Sequence, residues 1–185
     1  GFDYRGFIFF GLMIASERCS LLEYNVPLGR PETQAVLPLM ETDLVDLCGA
    51  INDGTLADFS LKWKAGASCA PVAVADGYPG TYRKGDVIEL DAAAMEKAGA
   101  KVFVAGAAID AGGASGGVLK TSGGRVLAVS AVAATSEEAR RKAYAGMKGV
   151  RFKGMGFRTD IGTENSPDAL SINGRKTEAG KRHNQ

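Results

Sequence analysis

At 185 residues, with 45% hydrophobic and 23% charged side chains, the chain is long enough to bury a core as one domain or two small ones. Its 22 basic residues against 21 acidic ones leave a formal net charge of +1, too weak a field to recruit nucleic acid or an anionic membrane, so small-molecule or protein partners are expected. Cys19, Cys48 and Cys69 are odd in number and never form Cys-x-x-Cys, which argues against a disulfide framework or zinc site and predicts buried thiols in a reducing, cytoplasmic compartment.

The opening Gly1-Phe2-Asp3-Tyr4 has no initiator Met, basic n-region or cleavage site, and reads as the start of a piece of a longer protein. The apolar run 7–15, interrupted by Gly11, falls short of the ~20 residues a spanning helix needs. Its aromatic and β-branched side chains predict a strand over 7–14 instead. A second strand is predicted over 20–26, with Glu23 and Asn25 two apart and therefore on one face. Pro27, Gly29 and Pro31 force a loop after it. Helical spacing follows over 33–39 and 42–51, with Thr42 as the expected N-cap.

Residues 65–75 read as a strand leading into the turn Gly77-Tyr78-Pro79-Gly80, with Trp63 packed between that strand and the preceding helix. Further strands are predicted at 101–105, near 118–121 and over 125–132, with a glycine-rich loop at 111–117. That loop is no Walker A motif, because Leu119 stands where glycine must precede Lys120-Thr121. A helix over 136–147 is expected to be capped by Ser136 and to bury Ala139, Ala143, Tyr144 and Met147. Its Glu137, Glu138, Arg140, Arg141 and Lys142 form a solvated, self-paired face. From 163 onward the chain is polar and reads as a mostly disordered tail. His183, the only histidine, lies there with no partner pattern, which argues against general-base, metal and serine-hydrolase roles.

Chemistry concentrates in two places. Glu23 and Asn25 offer two hard oxygen ligands, a set that suits magnesium keeping some waters and completing its shell with phosphates. The same spacing serves equally for two solvent-facing residues on an edge strand. Gly77-Tyr78-Pro79-Gly80 satisfies the demands of a turn, and its N–H groups and the Tyr78 hydroxyl could also meet a phosphate or ribose.

Glu23-x-Asn25 followed by Gly29-x-Pro31-Glu32-Thr33 resembles the ATP-grasp signature of the glycinamide ribonucleotide synthetase (phosphoribosylamine-glycine ligase) family. Tyr4-Arg5-Gly6-Phe7, Gly11-Leu12-Met13, Gly77-Tyr78-Pro79-Gly80-x-Tyr82-x-Lys84-Gly85, Val102-Phe103-x-Ala105-Gly106, Gly123-Gly124-Arg125-Val126-Leu127 and Arg158-x-Asp160-Ile161-Gly162 are similar to that family too, in the same order. The resemblance implies an α/β to α+β protein. Residues 1–60 would end an ATP-grasp domain, 61–162 would form a small mixed-sheet carboxy-terminal domain, and 163–185 the tail. It further implies a ligase that joins glycine to phosphoribosylamine through a glycyl phosphate, with ATP as co-substrate and Mg2+ or Mn2+ as cofactor. Glu23 and Asn25 match the metal positions, and Gly29, Pro31, Glu32, Tyr78, Pro79 and Gly80 lie beside the substrates; no catalytic residue is assigned.

Three positions depart from the family pattern: Pro27 where arginine is usual, Arg30 where aspartate is usual, and Val104 where histidine is common. Proline offers no donor to a carboxylate or phosphate, and Arg30 reverses a charge. These departures keep open a catalytically impaired remnant acting as a binding or structural module, and a different ATP-grasp ligase or carboxylase is a third reading. The resemblance places the nucleotide-grasping lobes upstream, so the fragment alone is expected to be inactive.

Overall fold

The structure, a computed structural model, describes residues 3–15, 18–26, 28–110, 117–163, 171–172 and 175–176. The tail beyond 163, with His183, and the loop at 111–116 lie almost wholly outside the described residues, as does Pro27. The chain divides into two compact units, Gly1–Ala65 and Gly66–Gln185.

The first unit opens with an antiparallel hairpin of β1 (Phe9–Ala15) and β2 (Arg18–Asn25). A short α1 (Thr33–Val36) runs into a 3-10 turn at Leu37–Leu39, where Pro38 removes the next helical donor. Next comes α2 (Leu44–Asp53). Its cap is Asp43, whose carboxylate accepts from Val45 N at 2.7 Å, while Thr42 Oγ1 instead accepts from Lys62 N at 2.7 Å. The expected Thr42 cap is therefore shifted by one residue. Trp63 bridges to Met40 but stays 48% exposed, so it is not the packing element its position suggested.

The second unit holds a five-stranded antiparallel sheet around β9. The predicted strand 65–75 is two, β3 (Ala67–Cys69) and β4 (Val72–Val74), laid end to end along one edge of β9 (Arg125–Ala133). Pro71 divides them: it has no N–H for the ladder, yet its carbonyl accepts from Val129 N at 3.0 Å. After β5 (Glu89–Leu90) and α3 (Ala92–Ala98), β6 (Ala100–Val104) takes the other edge of β9. The hairpin of β7 (Ala107–Asp110) and β8 (Val118–Thr121) follows. Beyond β9 come α4 (Ser136–Met147), β10 (Val150–Arg151) paired with β5, and β11 (Gly156–Phe157) paired with β4. A last short pair, β12 (Ser171–Ile172) and β13 (Arg175–Lys176), closes the order.

Val126, Leu127, Ala128, Val129, Ser130 and Ala131 are buried in an unbroken run, as a strand covered on both faces requires. One core gathers Val126, Leu127 and Val129 with Ala73, Ile88, Met95 and Met147; a second joins Cys69 and Ala131 to Ala139 and Ala143 of α4. The small side chains of α4 let it lie close on the sheet. Thr135, not Ser136, caps it by accepting from Glu138 N at 3.2 Å.

The segment after β11 is clasped onto α4. Tyr144 donates its hydroxyl to Arg158 O at 2.6 Å and accepts from Ile161 N at 3.2 Å, and burial pushes its pKa up to about 12. Arg140 lies 5.0 Å over the Tyr144 ring and donates to Thr159 O at 2.8 Å, so it leaves the expected solvent face. Glu138, Arg141 and Lys142 do pair there. Gly106 and Gly123 approach backbone to backbone: Ser122 N and Gly123 N both donate to Gly106 O, and a Cβ on Gly106 would stand 2.5 Å from Arg125 O.

Among the described residues no helix is long and apolar enough to cross a membrane. The three cysteines are free, but only Cys69 is buried; Cys19 and Cys48 are exposed, against expectation.

Candidate functional site

Five of the residues singled out from sequence lie in the first unit. In the hairpin, Asn25 stands opposite Phe9 and Glu23 opposite Gly11, so the two polar side chains share one face of β2. The register shifts beside Gly11: Leu12 pairs with Leu21, leaving Leu22 as an extra residue that bends the strand at Glu23. A Cβ on residue 11 would lie 2.9 Å from Glu23 Cγ, so the glycine makes the space in which Glu23 lies across β1.

The turn after β2 packs back onto the same hairpin. Gly29 is buried, and a Cβ there would stand 2.8 Å from the Phe9 ring and 2.6 Å from Glu32 Oε2. Its carbonyl accepts both Thr33 N, at 3.1 Å, and the Thr33 hydroxyl. Phe9 thus joins the pieces, paired with Asn25 in the hairpin and set against Gly29, which also has the Glu32 carboxylate beside it. Pro31, after a cis Arg30–Pro31 bond, sits in the turn, and Arg30 is exposed there. Sequence reasoning passed over Gln34, whose side-chain oxygen is buried with no donor among the described residues. An isolated glutamine next to a turn gives no pattern from which that burial could be read.

Glu23 and Asn25 are both exposed. Among the described residues no group of three or more His, Cys, Asp or Glu side chains is placed to hold an ion. One carboxylate and one carboxamide oxygen are a short donor set. They fit a hard cation that keeps waters and takes its remaining ligands from a bound nucleotide, and do not fit zinc.

Tyr78, Pro79 and Gly80 lie in the second unit, in a loop held at both ends. Tyr78 N donates to Ala75 O at 3.1 Å, Arg83 N to Asp76 O at 3.1 Å, and Gly85 N to Thr121 O at 2.7 Å. The Tyr78 and Tyr82 rings tilt against each other at 6.3 Å and 57°. Both rest on Gly124, where a Cβ would come within 2.3 Å of Tyr78. Lys84 Nζ sits 5.6 Å from the Tyr82 ring centroid, and Arg83 is paired with Asp86. Pro79 and Gly80 are exposed at the tip.

The model of the phosphoribosylglycinamide synthetase C domain matches residues 68–164. The chain belongs to that family. It is 47% identical over 160 residues to the phosphoribosylamine–glycine ligase of Clostridium acetobutylicum, covering 86% of this chain and 36% of that protein. It is 44% identical over 161 residues to a bifunctional purine biosynthetic protein of Schizosaccharomyces pombe, covering 87% of this chain and 20% of that one. The crystal structure of the Thermotoga maritima phosphoribosylamine–glycine ligase superposes with a TM-score of 0.72 at 36% identity, over 86% of this chain and 38% of that one. The chain therefore spans a little over a third of the length of the ligases it resembles. Its mixed α/β second unit, built of antiparallel sheets, is the architecture that this family domain and its solved relative share.

Proposed function

We propose that this chain is the carboxy-terminal part of an ATP-dependent ligase of purine synthesis, working in the cytoplasm, that joins glycine to phosphoribosylamine with release of ADP and phosphate. Residues 1–60 are the closing end of the ATP-grasp domain and 61–162 the small carboxy-terminal domain. The observation that carries this reading is the hairpin register, which sets Glu23 over Gly11 and Asn25 opposite Phe9, with Gly29 against that same Phe9 ring and the Glu32 carboxylate beside Gly29.

Glu23 and Asn25 hold Mg2+ or Mn2+, which when bound neutralises charge on the nucleotide phosphates. The protein's own work is positioning. Phe9 and Gly29 fix the turn, so that the Glu32 carboxylate is presented beside the metal-binding strand, and Gly29 and Pro31 shape the wall against which the substrates lie. Tyr78, Pro79 and Gly80 form a second substrate-contacting loop. No covalent intermediate on the protein is required, because attack by the amine on glycyl phosphate needs only alignment and a dry, charge-matched site.

Glycine-dependent ADP release by the full-length gene product, supplied with ATP, magnesium and phosphoribosylamine, tests the reading. Turnover that Glu23→Ala abolishes supports it. A second reading, the impaired remnant, is favoured by Arg30, which puts a cation where the family resemblance expects a carboxylate. Turnover only in a Pro27→Arg, Arg30→Asp double variant would establish that alternative; no turnover in either would sink the ligase assignment.

A further inference from the structure

We propose that the tip of the 77–84 loop is a phosphate site, at which the N–H groups of Gly80, Thr81 and Tyr82 and the ammonium of Lys84 take the phosphomonoester of a phosphorylated sugar. This rests on the ligase reading and narrows it, giving the loop the phosphate end of the phosphoribosyl substrate.

The backbone donors on either side are committed: Tyr78 N to Ala75 O, Arg83 N to Asp76 O, and Gly85 N to Thr121 O. Between them Pro79 has no N–H, and those of Gly80, Thr81 and Tyr82 meet no acceptor among the described residues. The direction of the last is constrained. Thr81 O presses on Gly77, 2.2 Å from where a Cβ would be, and the Thr81–Tyr82 peptide is not among the cis bonds. In a trans peptide the N–H points opposite the carbonyl, so the Tyr82 N–H faces away from Gly77. Successive unpaired N–H groups in a turn make an anion-binding concavity.

Lys84 supplies the charge. Its ammonium is held 5.6 Å from the Tyr82 ring centroid, next to the residue whose N–H is offered, whereas the Arg83 guanidinium is occupied by Asp86. Tyr78 acts as support: its N–H is used, and its ring is fixed on Gly124 beside that of Tyr82. Three N–H donors and an ammonium match the three terminal oxygens of a phosphomonoester better than the two of a carboxylate.

The test is titration of the 15N-labelled full-length gene product, following the amide resonances of Gly80, Thr81 and Tyr82. Ribose 5-phosphate is expected to shift them, ribose to leave them in place, and sulfate and ADP to act about tenfold more weakly. Lys84→Gln should weaken the ribose 5-phosphate response by about tenfold, the worth of one charge-assisted hydrogen bond, while Lys101→Gln should not change it. Silence of these amides up to about 10 mM, an equal response to ribose, sulfate or ADP, or indifference to Lys84→Gln overturns the proposal. The readout needs no turnover, so the two readings fail separately. Silent amides beside an active full-length enzyme remove the phosphate site alone; responsive amides beside an inactive one leave a phosphosugar site and remove the ligase.

Discussion

At single residues, close packing and hydrogen bonding set the expectations. Gly124→Ala drives a methyl into the Tyr78 and Tyr82 rings, which stand 2.3 and 3.1 Å from that position. Overpacking of this kind costs roughly 1 to 3 kcal/mol, and a lower urea midpoint with an altered tyrosine near-UV signal is the expected result. Tyr144→Phe removes the bond to Arg158 O and strands Ile161 N, for a loss of roughly 1 to 2 kcal/mol. The same residue sets an alkaline limit. With a pKa of about 12 in the fold against 10.0 in its ordinary state, the phenol holds its proton more tightly when folded. Its contribution is whole below pH 10.0 and is lost as pH rises through about 12. Stability followed across that interval should fall more steeply in the native chain than in Tyr144→Phe. That Glu23 and Asn25 share one strand face was legible from their spacing, whereas the contact of Phe9 with Gly29 was hidden: its ring meets Gly29 only after the turn folds back.

Elements with strong local signals were read closely and the others were not. The predicted bounds of α4 and β8 agree with the structure, because α4 has a clear apolar face and β8 lies beside a glycine-rich break. The caps were each one residue out. Thr42 and Asp43, like Thr135 and Ser136, are adjacent good caps, and only the side chain that reaches back to the first turn decides between them. Thr135→Ala should therefore cost about 1 kcal/mol and Ser136→Ala much less, a difference that paired thermal melts would resolve. Helix α3 was missed. Its seven residues carry one buried side chain, Met95, and no apolar period; its signals are the Asp91 cap and Gly99 in the left-handed conformation at its end. The division at Pro71 was overlooked although proline in a central ladder forbids a continuous strand.

At the scale of the whole molecule, the two units differ in kind. The second has both hydrophobic cores. The first presents Phe10, Leu12, Met13, Leu21, Leu22, Tyr24 and Val26 on its hairpin with more than half of each exposed. Uncovered strands with so many large apolar side chains are templates for association. The isolated chain is expected to bind an apolar dye and to grow in apparent mass with concentration in light scattering. A monomer that unfolds reversibly in one cooperative step would contradict this. Composition alone had placed the chain among proteins able to bury a core, but not that the burial is concentrated in the second unit, since exposed and buried apolar strands look alike until their neighbours are known.

The meeting of Gly106 and Gly123 bears on how such a protein is read by mutation. In a saturation library scored for growth, position 106 would reject every side chain, since even one methyl would stand 2.5 Å from Arg125 O and 2.8 Å from Gly123 Cα, and position 123, where a methyl stands 3.0 Å from Gly106 Cα, would accept few. A map of tolerance would mark them as strongly as any ligand-binding residue, while the exposed tip at Gly80 could score as permissive under a rich nutrient supply. Intolerance in this fold is thus a poor guide to where substrates bind, and depletion profiles collected with and without a supplied purine would separate the two kinds of constraint.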